Sequence, residues 1–570
     1  MQSSQGTPWQ GQAQPKSSLR SWMTVIILGL SLAIIVLDTT IVNVALPSIQ
    51  RDFAVSVVDL EWISATYSLV FGAFILIWGR LGDQFGRKRI FAAGVITFMA
   101  GSLLTGVSAN LSLMLVGRIV QGFGAAMSAP STLSILTTSY TGRNRGIAFG
   151  IWGAIAGAAG ALGPLLGGYL TTYVSWRWSF LINIPIGIVA LLGTRAFIAE
   201  SKAADEKYDP DILGAALIAL GLGPIIFGLV QGQNFGWIVP SSQQFSVFGL
   251  DWPFTAFSVT PVAIAIGIVF TVAFVANELR RLRAKRAVLF DFSLLAQFKA
   301  FRYGLITVII VSMGEFGVFF ILSLYFQIVR GLSAIDMGIS FLPFAIVSFF
   351  VAPTAGILSN RFGAKWIVTT GMVFESISLI AMSRVIGVTT PILSIEPILV
   401  LYGAGVGLAI GQLTSTVLSD IPPVHAGMGA GANNTVRQLG SAFGIAAIGA
   451  VLTAQIASSG TAALASASQI PAALKPILQA ALNTGLSGGL SGIPSVPPGP
   501  IATAITSVFF QAITDGTRSA ALVAGIFCGL GAIASLFIPK AKRAAWGAPS
   551  AGQGTAGGPH VAVQELKAEA

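Results

Sequence analysis

Five ionisable residues lie inside long apolar stretches of the sequence, where charged side chains are unusual. They are Asp38, Arg118, Glu315, Glu375 and Arg437. Because an ionisable side chain at the centre of a bilayer costs roughly 2.5–3.5 kcal/mol to insert, each of them is a functional candidate. A carboxyl group that alternates between a dry surrounding and contact with a cation can bind a proton and release it.

Asp38 is the first candidate for such a proton-binding group. Glu315 is the second, because it lies in the first apolar run of the second half of the chain, as Asp38 does in the first half. For Arg118 and Arg437, structural pairing with carboxylates or backbone carbonyls is as plausible as a direct coupling role. For Glu375, a structural hydrogen bond is the favoured interpretation.

Other kinds of chemistry find little support in the sequence. Cys528 is the single cysteine, and the two histidines, His425 and His560, are far apart in the chain. This composition argues against a disulfide framework and against a Cys- or His-based metal site. We find no catalytic cluster and no G-x-x-x-x-G-K-[ST] phosphate loop, so we expect neither an enzyme nor a bound cofactor or metal.

The elements that must position these residues are membrane-spanning helices. The 570-residue chain is 54 % hydrophobic and only 9 % charged, with a mean hydropathy of +0.81. Apolar runs of about eighteen residues or more predict such helices. The predicted spans are 23–46, 60–80, 90–108, 111–135, 146–170, 179–198, 212–232, 259–279, 302–326, 333–357, 365–386, 392–417, 429–456 and 517–538.

The basic residues predict which way the chain is oriented. With the N-terminus in the cytoplasm, about 24 of the 32 Lys and Arg residues fall in cytoplasmic segments. This bias fits an even number of spans with both termini cytoplasmic. The net charge of +11 therefore indicates orientation and contact with anionic lipid, and we expect no nucleic-acid partner.

A repeat links the two halves of the chain. The segment "GRLGDQFGRKRI" at 79–90 aligns with "GILSNRFGAKWI" at 356–367. Each copy follows the second span of its half, which is the pattern of a duplicated transporter with two related bundles. Asn360 stands where a second acid is expected. The sequence therefore does not decide whether the second copy also forms a contact that latches the two bundles together. The candidate gating residues are Gly79, Asp83, Gly86, Arg87 and Lys88.

Asp83 is suited to accept hydrogen bonds from the amides at a helix start, or to pair with a basic group.

The fifth span has a different character, because its glycines recur every three or four residues. They predict one bare face on which another helix can slide, with a bend at the proline. The residues concerned are Gly153, Gly157, Gly160, Gly163, Pro164, Gly167 and Gly168.

The spans predict an all-α, polytopic membrane protein of about fourteen helices, arranged as two six-helix bundles with two inserted helices between them. The predicted division is a disordered cytoplasmic tail (1–20), a first bundle (21–200), the inserted pair and linker (201–300), a second bundle (301–540) with a long external loop (457–515) and a short helix over 461–482, and a disordered cytoplasmic tail (541–570).

Several motifs together resemble those of the major facilitator superfamily, in its fourteen-span drug:proton antiporter branch. The first-span signature is "LDTTIVNVALP" (37–47), and the loop motif is "GRLGDQFGRKR" (79–89). The fourth-span arginine motif is "LVGRIVQGFGAA" (115–126), and "GALGPLLGG" (160–168) is similar to the antiporter motif. "NNTVRQLGSAFG" (433–444) is similar to a thirteenth-span sequence of the branch.

The resemblance implies the major facilitator fold and proton-driven export by alternating access, with Asp38 and Arg118 in coupling and Asp83 in the gating loop. The expected partners are protons, the lipid bilayer and a small amphipathic compound such as a drug or antibiotic, handled by a monomer in the cell membrane. Import of a small nutrient, or export of an endogenous lipid or siderophore, stays open.

Polar side chains in the second half are candidates for contact with cargo, although they could equally satisfy helix interiors. These residues are Gln327, Gln412, Asn433, Asn434, Arg437 and Gln438.

Overall fold

The computed structural model describes residues 19–55, 57–202, 209–241, 245–247, 250–483 and 499–539, and most of these residues are helical. Helices are the expected outcome for such apolar stretches, because each backbone N–H and C=O group must find a partner within hydrocarbon. In the described part of the chain, thirteen helices are long and apolar enough to cross a membrane.

The described helices are α1 (Leu19–Phe53), α2 (Val57–Phe85), α3 (Arg87–Gly106), α4 (Leu111–Ser139), α5 (Gly142–Tyr173), α6 (Trp178–Leu181), α7 (Asn183–Phe197), α8 (Ile212–Phe235), α9 (Val259–Arg283), α10 (Ser293–Gln297), α11 (Lys299–Leu324), α12 (Ala334–Ser340), α13 (Leu342–Phe362), α14 (Ala364–Val385), α15 (Ile392–Val417), α16 (Ala426–Ser466), α17 (Lys475–Asn483) and α18 (Pro500–Ser535). A short antiparallel ribbon, β1 (Ser246–Val247) and β2 (Leu250–Asp251), joins α8 to α9.

Each of the fourteen predicted spans coincides with helix in the structure. The ninth coincides with α11, which is not one of the thirteen helices counted above. Two predicted spans are interrupted, the sixth between α6 and α7 and the tenth between α12 and α13. Pro185 and Pro343 follow these breaks. Proline has no N–H, so neither residue can make the helical hydrogen bond to the carbonyl four residues earlier.

The predicted external loop 457–515 contains more helix than expected, which corrects that expectation. α16 continues to Ser466, α17 lies within the segment, and α18 begins at Pro500. These extensions bury apolar side chains against each other, including Leu464, Leu482 and Ile505. Residues 484–498 lie outside the described residues. So do the predicted tails, 1–20 and 541–570, apart from two residues that start α1.

The helices form two bundles with an inserted pair beside them. In the first bundle α3 packs along α4 and α1 along α5, and in the second α14 packs along α15 and α11 along α16. The bundles meet where α5 lies against α13 and where α2 lies against α16. The inserted helices α8 and α9 pack on each other, and α8 also contacts α2 and α16.

The two copies of the repeat share one backbone geometry. Each ends a helix, at Phe85 and at Phe362, and each continues through a glycine with positive φ. Gly86 has a φ of 109° and Gly363 has a φ of 89°. An L-amino acid with a side chain rarely adopts such values, so glycine lets both chains turn directly into the next helix.

Charged side chains fix the linker after α9 to the start of α8. Asp209 accepts from Arg286 Nη2 at 2.7 Å and from Arg281 Nη2 at 3.0 Å. The hydrogen bond from Arg286 holds the pKa of Asp209 below its ordinary value. Glu278 accepts from the backbone N–H of Leu289 at 2.9 Å. Part of the predicted basic excess therefore serves ion pairs within the protein.

Candidate functional site

A buried ion pair joins Asp38 of α1 to Arg118 of α4 inside the first bundle. Asp38 is 0 % exposed and Arg118 is 1 % exposed, and Arg118 Nη1 contacts Asp38 Oδ2. Arg118 Nε also donates to the backbone oxygen of Ile63 at 2.8 Å. Its guanidinium lies over the ring of Tyr67, 4.4 Å from the centroid. The structure thus brings together two of the predicted coupling residues.

Neutral side chains complete this cluster, and the sequence reasoning missed them. Gln121 Nε2 donates to Asp38 Oδ1 at 2.8 Å, and Asn183 Nδ2 reaches the same oxygen at 3.3 Å. Both amides also contact Ser102 Oγ, at 2.8 Å and 3.2 Å. One signal was present, because Gln121 follows Arg118 by three residues and therefore shares its helix face.

Asp83 connects the end of α2 to the start of α16 in the other half. Its Oδ1 accepts from Gly427 N at 2.9 Å, and its Oδ2 accepts from Met428 N at 3.0 Å. These are free amides of the first helical turn, and the helix dipole there favours a negative charge. Arg87 Nη2 donates to Asp83 Oδ1 at 2.6 Å and to the backbone oxygen of Pro423 at 2.5 Å. We call this contact the Asp83 latch.

The other predicted gating residues differ in their contacts: Gly79 contacts the second half of the chain, whereas Gly86 and Lys88 contact the first half. Gly79 lets α2 approach α16 closely, because a Cβ there would lie 3.0 Å from Gly431 Cα. Lys88 instead belongs to its own half, where its backbone N–H donates to the carboxylate of Glu200 at 3.1 Å. Gly86 packs under the same carboxylate, with Glu200 Oε1 2.8 Å from a Cβ placed there.

The second copy of the repeat forms a weaker contact at the corresponding position. Asn360 Nδ2 at the end of α13 donates to the backbone oxygen of Arg143 in the first turn of α5, at 3.3 Å. Arg145 Nη2 donates to the backbone oxygen of Ser415 at 3.2 Å. A second latch between the halves is therefore present, but it is made without a carboxylate. We call it the Asn360 latch.

The glycines of α5 do not share one face, which corrects the expectation from their spacing. Gly153 lies against α15 and Gly157 against α13, whereas the motif glycines lie against α1. A three-residue step falls about 60° short of a helical turn and a four-residue step passes it by about 40°, so successive glycines point to different neighbouring helices. The motif residues facing α1 are Gly160, Gly163 and Gly167, with Pro164 and Gly168 buried in the same segment.

The second bundle also holds buried ionisable groups. Arg437 Nη1 of α16 lies 3.7 Å from Glu315 Oε2 of α11, and its Nη2 donates to Thr414 Oγ1 at 3.3 Å. Glu375 of α14 accepts from the thiol of Cys528 at 3.5 Å, which is the kind of structural hydrogen bond predicted for it. Each half therefore has a buried acid near an arginine, which is fully buried at Arg118 and half-buried at Arg437.

The predicted cargo residues are not gathered in one place. Gln327 lies in the π-helical turn that ends α11, about 18 Å along the helix from Glu315, and its side chain is exposed. Gln412 Nε2 donates to the backbone oxygen of Gly146 at 3.0 Å, so it joins the Asn360 latch. Arg437 belongs to the ionisable cluster of the second bundle.

The remaining three candidates all lie on α16. Asn433 is fully buried, and neither of its amide atoms has a hydrogen-bond partner among the described residues. Asn434 is half-buried, and its Nδ2 also lacks one there. Gln438 packs on α2, where a Cβ at Gly72 would lie 3.3 Å from its Cγ.

Within the described residues, no group of three or more His, Cys, Asp or Glu side chains is placed to hold a metal ion. The polar chemistry that the helices do bring together is that of buried carboxylates beside guanidinium groups. In such a pair the proton affinity of the carboxyl group depends on its burial and on the distance to the cation.

The sequence matches the family model of the Major Facilitator Superfamily over residues 28–445. The chain is 31 % identical over 462 residues to a "Probable actinorhodin transporter" of Streptomyces coelicolor, an alignment that covers 79 % of this chain and 76 % of the relative. It is 28 % identical over 537 residues to the "Tetracenomycin C resistance and export protein" of Streptomyces glaucescens, covering 93 % and 94 % of the two chains.

Among solved structures, the fold is similar to that of the proton:xylose symporter XylE, bound to 6-bromo-6-deoxy-D-glucose. The TM-score is 0.56 at 12 % sequence identity, with 93 % of this chain and 98 % of the symporter covered. At this identity the likeness concerns the fold alone. It agrees with two bundles of membrane-spanning helices.

Proposed function

The chain belongs to the Major Facilitator Superfamily, and we propose that it is a proton-driven exporter of amphipathic organic compounds. As a member of this family it is a multi-pass membrane protein and a secondary transporter of small substrates, rather than an enzyme. One elementary charge crossing 100 mV releases about 2.3 kcal/mol, which is enough to drive export against a concentration gradient.

The buried Asp38–Arg118 pair is the observation that carries the proposed coupling. With Asp38 ionised, the two charges compensate each other inside the first bundle. A proton on Asp38 removes its negative charge, and Arg118 is left as an uncompensated buried cation, which is strongly unfavourable. The helices must then rearrange to give Arg118 another partner or water, and in this way protonation drives a conformational change.

The two latches supply the other requirement of alternating access, which is a contact that closes one end of the molecule. The Asp83 latch joins α2 to α16, and the Asn360 latch joins α13 to α5. Both must break before the bundles can separate at this end. By the positive-inside rule, we assign this end to the cytoplasm and place both termini there, in the cell membrane.

The cargo assignment rests on the relatives and on the membrane setting. Both relatives are named for transport of, or resistance to, a particular compound, and one is named for export. We therefore infer drugs or antibiotics as the cargo class. We further propose that the chain works as a monomer, divided into a first bundle (21–200), an inserted pair with its linker (201–300) and a second bundle (301–540).

The experiment compares Asp38→Asn with Asp52→Asn, two substitutions on the same helix. Cells producing each variant are loaded with a fluorescent cationic dye, and the rate of efflux is followed. Asp52 lies at the far end of α1 and pairs with Arg177, with side chains that are 43 % and 37 % exposed, so its variant should transport normally. Asp38→Asn should reach the membrane at the normal level but lose efflux.

Undiminished efflux by Asp38→Asn, driven by the proton gradient, would remove Asp38 from the coupling step. Dye accumulation that is faster in producing cells than in control cells would instead reveal an importer.

A further inference from the structure

Glu375 occupies an enclosed position in the second bundle that leaves one carboxyl oxygen free. The residue is 0 % exposed. Its Oε2 accepts from the Cys528 thiol, and its Oε1 has no hydrogen-bond partner among the described residues. A Cβ at Gly405 of α15 would lie 2.7 Å from Glu375 Cγ, so the neighbouring helix closes over the side chain.

Glu315 reaches the same region from α11. Gly314, the preceding residue, packs against the sulfur of Cys528, so α11 lies directly beside the thiol that contacts Glu375. Cys528 of α18 therefore contacts Glu375 of α14 on one side and the backbone beside Glu315 of α11 on the other. Glu315 Oε1 also has no hydrogen-bond partner within the described part of the chain. The two acids therefore share one buried environment.

The groups that face Glu315 and Glu375 carry too little positive charge to compensate two ionised carboxylates. Among the described residues, Arg437 of α16 is the one cation that pairs with either acid, and its Nη1 lies 3.7 Å from Glu315 Oε2. That distance is longer than a good charge-assisted hydrogen bond. The other groups facing the pair are neutral: the Cys528 thiol of α18, and the Tyr402 hydroxyl of α15, which is 1 % exposed and unpartnered among the described residues.

Charge balance then requires a proton. Two ionised carboxylates beside one guanidinium leave an uncompensated negative charge in a buried region, and isolated buried charges are avoided by neutralisation. One of the two buried carboxyl groups accordingly holds a proton. The first bundle differs, because Asp38 has Arg118 to itself and both of its oxygens accept hydrogen bonds.

We propose that Glu315 and Glu375 form a proton-binding carboxyl pair, a second site that binds one proton and releases it during transport. The binding site follows from the geometry of the second bundle, and only its use in transport rests on the proposed function. The proton enters from water on to one carboxylate oxygen of the pair and leaves to water from the pair. No other bond forms or breaks.

The site is tested without any cargo, by infrared spectroscopy of the purified protein in lipid at pH 7. Exposed carboxyl groups are ionised at this pH, so a carbonyl stretching band of a protonated carboxylic acid reports a buried acid. The wild-type protein should show this band. Glu375→Gln and Glu315→Gln should each lower its intensity, and Glu396→Gln, which alters an acid near the start of α15, should leave it unchanged.

A band of full intensity in both pair variants would overturn the proton-binding site. If Glu375→Gln fails to fold, Glu375→Asp retains a carboxyl group at an altered distance and should shift the band, and an unshifted band overturns the site as well. The use in transport is measured separately, as protons moved per dye molecule in proteoliposomes. Glu375→Gln should lower this ratio, and an unchanged ratio would exclude the pair from the transport cycle.

Discussion

Asp38 is held by more than its ion pair with Arg118. Hydrogen bonds from Gln121 and Asn183 meet on its Oδ1 while the guanidinium contacts Oδ2. In a buried site each of these donors compensates part of the lost hydration of the carboxylate. The ionised form is therefore organised by three helices, α4 and α7 together with α1, and proton binding at Asp38 must affect all of them.

We expect Gln121→Leu to destabilise the protein by about 1–3 kcal/mol, because it leaves a buried carboxylate oxygen and the Ser102 hydroxyl with fewer partners. Thermal unfolding of the purified protein in detergent measures this effect. Gln511→Leu removes an exposed amide that contacts Asp515 and should change the unfolding temperature little. Equal shifts for the two variants would contradict the assigned role of Gln121.

At this scale the sequence revealed the charges but not their partners. Asp38 and Arg118 stand out because charge is rare in apolar stretches. Ser102 and Asn183 carry no such signal, since neutral polar residues are common in membrane helices. Only the packing of α4 and α7 on α1, and of α3 on α4 and α7, brings them together.

The elements that close one end of the molecule do so unequally. The Asp83 latch sets a carboxylate against two helix-terminal amides and adds the guanidinium of Arg87. At the Asn360 latch, the side chain of Asn360 gives a single neutral hydrogen bond of 3.3 Å to the other half. Charge-assisted hydrogen bonds are roughly twice as strong as neutral ones. The hydrogen bonds made by Asp83 are therefore stronger than the one that Asn360 makes.

We predict that Asp83→Ala opens this end more than Asn360→Ala does. Spin labels at positions 89 and 420, both exposed in the structure, would report the separation by electron–electron double resonance. Asp83→Ala should populate longer distances, because α16 loses its acceptor and Arg87 loses its partner. Asn360→Ala should shift the distribution less, and the opposite order would contradict the difference between the latches.

The sequence predicted where these elements lie but not how far they reach. The repeat located both loops, and the shared geometry of Gly86 and Gly363 agrees with it. The extension of α16 and α18 into the predicted loop was missed, because Ala and Ser give a weak apolar signal. The partner of Asp83 could not be predicted either, because Gly427 is 344 residues away in the chain.

The whole molecule combines two bundles that share a duplicated loop but not the same ionisable groups. The first bundle has one acid paired with one arginine, whereas the second has Glu315 beside Arg437 and a further buried acid, Glu375, beside a thiol. The bundles meet through α5 and through α2, where small residues allow the backbones to approach closely. Such seams suit the rocking of one bundle against the other on which alternating access depends.

Fourteen spans, the duplication and the family resemblance were all available from the sequence, because hydropathy and motif spacing are local properties. The division of the α5 glycines among three neighbouring helices was not available, since it depends on how the two bundles meet. The same holds for the proximity of Glu315 to Glu375, which lie on different helices that α18 joins through Cys528.

Proteoliposomes with an imposed pH difference provide the most direct test of proton coupling. The purified wild-type protein should accumulate a cationic dye against its gradient only while the pH difference lasts, and should move protons in the opposite direction. A protonophore should abolish both movements, and Asp38→Asn should show neither. Dye accumulation that persists unchanged without a proton gradient would contradict the account.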